Sequence, residues 1–241
     1  MRGVILAGGT GSRMHPLTIV TNKHLLPLYN KPVICYPIEK LAEAGIKEIL
    51  IITSHEHTHH FMQLLDDGSQ FGVHLHYAKQ AGPNGIADAL RLAEEFAAGE
   101  KIAVILGDNI FEDSLTESAK KFQSMKGAAV FLKEHPNAKD YGVVELKNGR
   151  IITIEEKPIK PRSNLCATGV YFYDPDVFDI ARTLKPSKRG EYEITDINRA
   201  YLERGQLHNF VFSGEWFDCG NFYYLLKASL FIARKFHQFD A

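Results

Sequence analysis

Apolar positions along the chain fall into two textures. Through the first half, short apolar runs of strand length are separated by stretches whose apolar residues recur at helical spacing. Arg2–Ala7 reads as a strand and Val33–Ala44 as a helix stopped by Gly45; Glu48–Thr53 is the next strand and Thr58–Leu65 a short helix. Val73–Ala78 and Ile102–Leu106 are strands on either side of a helix over Gly85–Phe96. In that helix Ile86, Ala89, Leu90, Ala93 and Phe96 share one face, as a buried stripe requires.

After Gly107-Asp108-Asn109 the strands crowd together. Ala128–Lys133, Val143–Leu146, Ile151–Glu155 and Cys166–Tyr173 are separated by polar turns, among them Lys147-Asn148-Gly149-Arg150. Asp176–Leu184 and Ile194–Glu203 read as helices, Leu207–Phe212 as a strand, and Asn221 to Phe236 as a closing helix. The alternation predicts an α/β fold with a Rossmann-like, mostly parallel sheet flanked by helices. The second half continues that sheet and adds a small mixed lobe. No repeat or linker interrupts residues 1–241, which are expected to form a single two-lobed domain.

Bulk properties narrow the class. The chain has 241 residues, 45% of them hydrophobic, and a formal net charge of −1, which fits a sizeable core and argues against a nucleic-acid binder. The longest early apolar run, Val4 to Ala7, is too short for a signal-peptide core or a membrane span. Cys35, Cys166 and Cys219 lie far apart, a sparse set that fits reduced thiols in the cytoplasm.

The first strand runs into Gly8-Gly9-Thr10-Gly11-Ser12-Arg13, with Lys23 a little further on. Glycines let backbone N–H groups approach an anion, and Arg13 and Lys23 supply charge that a merely structural turn does not need. Two familiar phosphate loops are excluded by spacing. A P-loop requires Lys-Ser/Thr after its last glycine, where this chain has Ser12-Arg13. The dinucleotide fingerprint requires a third glycine where Met14 stands, and an acid after the second strand, where Ser54-His55 stands.

Asp108 is the foremost catalytic candidate. It follows the apolar run Ala103–Leu106, at the carboxyl end of a strand, where open α/β sheets carry their ligands. A carboxylate there, beside a phosphate loop, is placed to hold Mg²⁺; the alternative is a cap for a following helix. Asp218, ahead of the last helix, reads by itself as an N-cap and gains interest only as a second ligand to the same ion. Glu155-Glu156-Lys157-Pro158 ends another strand, and Arg189-Gly190-Glu191 sets a cation on a glycine-containing loop; both read either as solvated turns or as site loops. The run His55-Glu56-His57-Thr58-His59-His60 lacks the defined ligand spacing of a zinc site and reads as a solvated loop. No Ser-His-Asp or Cys-His arrangement presents itself.

Taken in order, these segments resemble the sugar-phosphate nucleotidyltransferases over nearly the whole chain. The resemblance is carried by Leu6–Arg13 with Asn22-Lys23-His24-Leu25-Leu26-Pro27, and by Gly82-Pro83-Asn84-Gly85-Ile86-Ala87-Asp88-Ala89, Leu106-Gly107-Asp108-Asn109 and Tyr141-Gly142-Val143-Val144. Glu155–Pro158, Thr168-Gly169-Val170-Tyr171, Arg189-Gly190-Glu191-Tyr192-Glu193-Ile194-Thr195-Asp196 and Trp216-Phe217-Asp218-Cys219-Gly220 complete it. It implies transfer of a thymidylyl group from dTTP to glucose 1-phosphate with loss of pyrophosphate. Residues 1–110 would be the nucleotide-binding half and 111–241 the sugar-phosphate-binding half, its mixed lobe holding the sugar.

The roles implied are residue by residue. Gly8, Gly9 and Gly11 would wrap the triphosphate, with Arg13 and Lys23 on its oxygens, while Gln80 and Gly85 would read the thymine edge. Asp108 and Asp218 would hold Mg²⁺. Asn109, Tyr141, Gly142, Glu156, Ala167 and Tyr171 would line the sugar pocket, Lys157 and Arg189 would grip the sugar phosphate, and Trp216 would form pocket wall. Arg13, Lys23, Asp108 and Lys157 would carry the chemistry. Ala167 stands where valine is more usual, which implies a slightly roomier pocket. Longer members carry a further helical extension that helps form a regulatory product site, and inhibition by a distal sugar nucleotide is expected here through the active site alone. The partners expected are the two substrates and further copies of the chain in a homo-oligomer, with neither nucleic acid nor membrane. Rival readings are a sister enzyme using UTP or another sugar 1-phosphate, and a non-catalytic nucleotide-sugar sensor.

Overall fold

The structure, a computed structural model, describes residues 1–237. In chain order it runs β1 (Arg2–Ala7), β2 (Pro27–Leu28), β3 (Lys31–Pro32), α1 (Cys35–Glu43), β4 (Glu48–Ser54), α2 (Thr58–Leu65) and β5 (His74–Gln80). Then come α3 (Ile86–Arg91), α4 (Glu94–Ala97), β6 (Ile102–Leu106), β7 (Asn109–Phe111), α5 (Thr116–Gln123), β8 (Ala128–Glu134), β9 (Gly142–Lys147) and β10 (Arg150–Glu156). β11 (Leu165–Tyr173), α6 (Asp176–Thr183), α7 (Ile194–Glu203), β12 (Leu207–Val211), β13 (Trp216–Asp218) and α8 (Phe222–His237) complete it. No helix among the described residues is long and apolar enough to cross a membrane.

β5, β4, β1 and β6 run parallel in that spatial order, and β11 joins β6 antiparallel. β8, β12, β9 and β10 extend the same sheet to nine strands. β1, β4 and β6 are apolar on both faces because helices cover both, whereas the edge strand β5 exposes His74, His76 and Lys79. Val4, Leu6, Leu50, Ile52 and Val104 enter one core cluster, which includes residues of α3, α6 and α7. Their alternates Ile5, Ala7, Ile49, Ile51 and Ile105 enter another, with residues of α1, α2 and α5.

β11 divides its pairing. Val170–Tyr173 pair with β6, Cys166 and Ala167 pair with β9, and the change falls at Thr168-Gly169, where the register against β8 also shifts. The β9–β10 hairpin turns through Asn148 and Gly149 at φ 52° and 75°, the left-handed pair that suits a tight hairpin. α7 packs against β10.

Three expectations needed correction. The helix expected over Gly85–Phe96 is two helices, because Leu92 and Ala93 donate to the carbonyls of Ala89 and Leu90, three residues back, in one tight turn. Its stripe survives, since Ala89, Leu90 and Ala93 are buried in the core and Ile86 and Phe96, partly buried, pack against it. α5 was not foreseen, although Ala119 and Phe122 bury one of its faces. Nor were β7 and β13, which pair outside the main sheet and against which α8 packs through Ala228 and its neighbours.

Candidate active site

The carboxyl ends of β1 and β6 lie side by side where the strand order reverses, the crevice in which open α/β sheets hold ligands. Gly107 N–H donates to the Leu6 carbonyl at 2.9 Å, and a cleft of about 340 Å³ opens above this point. Gly8 and Gly9 line it with Arg13 and Lys23. A Cβ on Gly8 would stand 2.5 Å from Gln80 Oε1, so a larger residue there would push the Gln80 amide aside. Gly11 shapes the turn below rather than the cleft itself. It takes φ 66°, and its carbonyl accepts from Met14 N–H at 2.8 Å and from the Thr18 hydroxyl at 2.7 Å.

Asn22 presents Lys23 to this cleft. Its Nδ2 donates to the Ala7 carbonyl at 3.2 Å, and its Oδ1 accepts from the backbone N–H of His24 at 3.0 Å and from His24 Nδ1–H at 2.5 Å. Burial, reinforced by the Lys23 charge, holds the His24 imidazole down to about 3, so this support is neutral.

Asp108 and Asp218 meet through the β7–β13 ladder, in which Asp218 pairs with Asn109 and Trp216 with Phe111. Cys219 N–H donates to the Asp108 carbonyl at 2.9 Å and locks the two segments together. Both cap readings fail. Asp108 is followed by a strand, and the first turn of α8 is capped by Asn221, whose Oδ1 accepts from Tyr224 N–H at 3.0 Å. Burial opposes ionisation of Asp108, yet the Lys23 ammonium, in direct contact with Oδ2, overrides it and holds the carboxyl below the usual range. Burial and then the Asp108 charge push Asp218 up to about 6, against the pull of Lys23 and Arg13. The Arg13 guanidinium lies over Gly220, where a Cβ would come within 2.6 Å of Nη2.

This donor set fits Mg²⁺. Two buried carboxylates that repel each other are what a hard cation relieves, and Mg²⁺ takes one or two carboxylates and completes its shell from phosphate oxygens. Among the described residues no group of three or more His, Cys, Asp and Glu is arranged for a metal, so a caged transition-metal site has no support.

Across the cleft lie Asn109, Tyr141, Gly142, Glu156, Lys157 and Ala167, with Tyr171 and Trp216 behind them. Glu156 Oε2 accepts from the Thr195 hydroxyl at 2.5 Å, while Oε1 lies 3.5 Å from Arg189 Nη1 and 3.9 Å from Lys157 Nζ. Lys157 sits at φ 42°, left-handed and immediately before a proline, and its N–H donates to the Tyr141 carbonyl at 3.0 Å. Such a conformation costs about 1–3 kcal/mol and persists where surrounding contacts hold it. The rings of Tyr141 and Trp216 meet at 5.1 Å, and both abut His135. His135 Nδ1 accepts from Asn137 N–H at 3.1 Å and Nε2–H donates to the Tyr224 hydroxyl at 2.9 Å, which ties this wall to α8.

The structure thus brings most of the residues singled out in the sequence to one cleft. Two stand apart. Gly11 lies beneath it, and Arg189 lies at its edge, drawn to Glu156, Glu191 and Glu193 at 3.5, 3.1 and 3.5 Å. Lys23 faces Asp108 rather than open space. Thr195, Glu191, His24 and His135 were missed. The first three fall inside or beside motifs already noted, whereas nothing local marks His135, whose partners come from Tyr141, Trp216 and α8.

Comparison with known proteins gives the family and the fold. The family model described as nucleotidyl transferase matches residues 2–235. A glucose-1-phosphate thymidylyltransferase of Mycolicibacterium smegmatis is 48% identical over 96% of this chain and 82% of its own. One of Neisseria meningitidis is 44% identical over the same shares. A crystal structure of a Bacillus anthracis protein described as a glucose-1-phosphate thymidylyltransferase, in complex with sucrose, superposes with a TM-score of 0.92 at 45% identity, covering 96% of this chain and 94% of that one. A UDP-glucose pyrophosphorylase complexed with UDP-glucose superposes at 0.88 with 27% identity, covering 97% and 98%.

Proposed function

This chain belongs to the nucleotidyl transferase family, and we propose that it joins dTTP and glucose 1-phosphate into dTDP-glucose, releasing pyrophosphate. It is a nucleotidyltransferase of dTDP-sugar synthesis, as its relatives at 44–48% identity are. The observation that carries the reading of the site is the convergence of Asp108 and Asp218, close enough that the charge of one raises the pKa of the other, on the cleft that Gly8 and Gly9 also line. A homo-oligomer in the cytoplasm remains part of the proposal.

The chemistry asks for charge management rather than proton transfer. A phosphate monoester has its second pKa near ~6, so the sugar phosphate is already largely a dianion at neutral pH and needs no general base. The barrier is repulsion between two polyanions and charge growing on the departing pyrophosphate, which positioning and fixed electrostatics lower. Magnesium on Asp108 and Asp218 would supply a Lewis acid at the triphosphate. Gly8 and Gly9 would offer backbone N–H groups to the phosphates, and Gln80 with Gly85 would read the base edge. Arg13 and Lys23 would neutralise charge on the transferring and departing groups. Lys157, helped by Arg189 once the latter leaves its carboxylates, would aim the sugar phosphate at the α-phosphorus. Glu156 and Thr195 would take sugar hydroxyls against the wall of Tyr141 and Trp216.

The test is pyrophosphate release across a matrix of nucleoside triphosphates and sugar 1-phosphates. Fastest turnover with dTTP and glucose 1-phosphate is expected. A clear preference for UTP, whose base presents Gln80 with the same pairing edge, would move the assignment to the uridylyl branch. No release with any pair would overturn it.

A further inference from the structure

One segment, Ser187–Thr195, touches both halves of the cleft. Near its middle Tyr192 makes two backbone hydrogen bonds, one to the loop before α3 and one to the first turn of α3. Its N–H donates to the Asn84 carbonyl at 2.8 Å, and its carbonyl accepts from Ala87 N–H at 3.0 Å. Gly85, between those partners, lies so close that a Cβ would be 2.6 Å from the Tyr192 oxygen, and its own carbonyl accepts from Gln80 at 3.3 Å. At its ends the segment reaches the sugar side, with Arg189 3.5 Å from Glu156 and Thr195 bonded to the other oxygen of the same carboxylate. A tight turn joins these parts, since Ser187 N–H donates to the Glu191 carbonyl at 2.8 Å and the Ser187 hydroxyl to Glu193 at 2.8 Å.

Arg91, outside the cleft lining, holds the middle of this segment. Its guanidinium stacks on the Tyr192 ring at 4.4 Å and is fixed by two hydrogen bonds to the Ala181 carbonyl, at 2.9 and 2.6 Å. Asp88 adds a third contact at 3.3 Å.

We propose that Ser187–Thr195 is a coupling clasp through which a nucleotide base seated on Gly85 tightens binding of the sugar phosphate, and that Arg91 is a positioning residue acting through Tyr192. The inference rests on the function proposed above. A base held by Gln80 and Gly85 fixes the loop that Tyr192 is bonded to, so the cost of ordering the clasp is met before the second substrate arrives. Linkage makes the effect reciprocal: the sugar phosphate tightens nucleotide binding by the same factor.

The test is initial-rate kinetics over a matrix of dTTP and glucose 1-phosphate concentrations for wild type, Arg91→Ala and Arg91→Lys, with amide hydrogen exchange of the full chain in dTTP alone. We expect dTTP alone to slow exchange at Tyr192 and Ala87. Arg91→Ala should raise the KM for glucose 1-phosphate at saturating dTTP about fivefold, the lower end of ordinary coupling strengths, with the KM for dTTP measured without saturating sugar phosphate unchanged. Arg91→Lys, which keeps a cation over the ring, should recover part of the loss. An unchanged interaction factor in Arg91→Ala, a loss of dTTP affinity measured in the absence of glucose 1-phosphate, or no protection of Tyr192 by dTTP would overturn the clasp. A wild-type enzyme inactive on this pair would instead overturn the functional reading, and the exchange measurement distinguishes the two failures.

Discussion

The indole N–H of Trp216 donates to Asn109 Oδ1 at 2.7 Å, joining the aromatic wall of the cleft to the residue beside Asp108. The same oxygen accepts from Gly169 N–H at 3.0 Å, and Asn109 Nδ2 donates to Asp108 Oδ1 at 3.2 Å. Asn109 is 2% exposed, and its amide is a buried junction between these segments. A Cβ on Gly169 would stand 2.5 Å from Asn109 Nδ2. Gly169→Ala should therefore displace this junction, costing about 1–3 kcal/mol in denaturant unfolding and lowering turnover. Unchanged stability and rate would show that the junction relaxes freely.

Asp108→Asn and Asp218→Asn should each remove most turnover. Each deletes charge where the cation is proposed to bind without changing side-chain size, and Asp108→Asn also leaves the Lys23 ammonium without its partner. Rates across a magnesium titration, with circular dichroism to follow the fold, are the measurement. Near-normal rates at saturating magnesium in both variants would remove the metal assignment.

The two cations on opposite sides of the cleft should separate kinetically. Arg13→Ala should mainly slow the chemical step, since losing a donor that acts in the transition state costs ~10²–10³ in rate. Lys157→Ala should mainly raise the KM for glucose 1-phosphate. Because Lys157 occupies a left-handed conformation, Lys157→Gly should be more stable than Lys157→Ala by about 1 kcal/mol while losing the same sugar-phosphate contact. Equal stability of the two would show that the backbone relaxes on losing the side chain.

His135 should make stability pH-dependent. Burial lowers its pKa below the usual value, against weaker opposing effects. Between the folded and unfolded values the unfolded chain therefore binds more protons, and stability falls as pH drops below about 6.5. His135→Phe should be less stable at neutral pH, having lost the bonds to Asn137 and Tyr224, yet show a shallower decline of Tm on acidification. Parallel Tm–pH curves for the two proteins would show that the imidazole does not titrate differently on folding.

How much was legible follows from where the information lies. The central parallel strands were readable because β1, β4 and β6 are apolar runs covered on both faces, and they stand almost where the pattern predicts them. The glycine loop and Asp108 were readable because a strand end, a flexible loop and a charge are neighbours in the chain. β7 and β13 were not: three residues each carry no period of their own, and only their mutual ladder makes them strands. For the same reason Asp218 by itself resembles a helix cap, although Asn221 does that work.

By itself, then, the pattern of the sequence determined the α/β class, the order of most elements and the placing of the Gly8-Gly9 loop and Asp108 at strand ends, because hydrophobic periodicity and glycine conformational freedom are local properties, while the rest of the cleft was expected only from the family resemblance. The tertiary structure alone decided that Asp218 lies beside Asp108, that Lys23 is held on Asp108, that Arg189 is drawn to Glu156, and that Tyr192 is stitched to Asn84 and Ala87. Each of these joins residues far apart in the chain, and nothing local specifies them. They form because burying the two faces of one sheet brings those segments together, and a buried charge or backbone group must then find a partner.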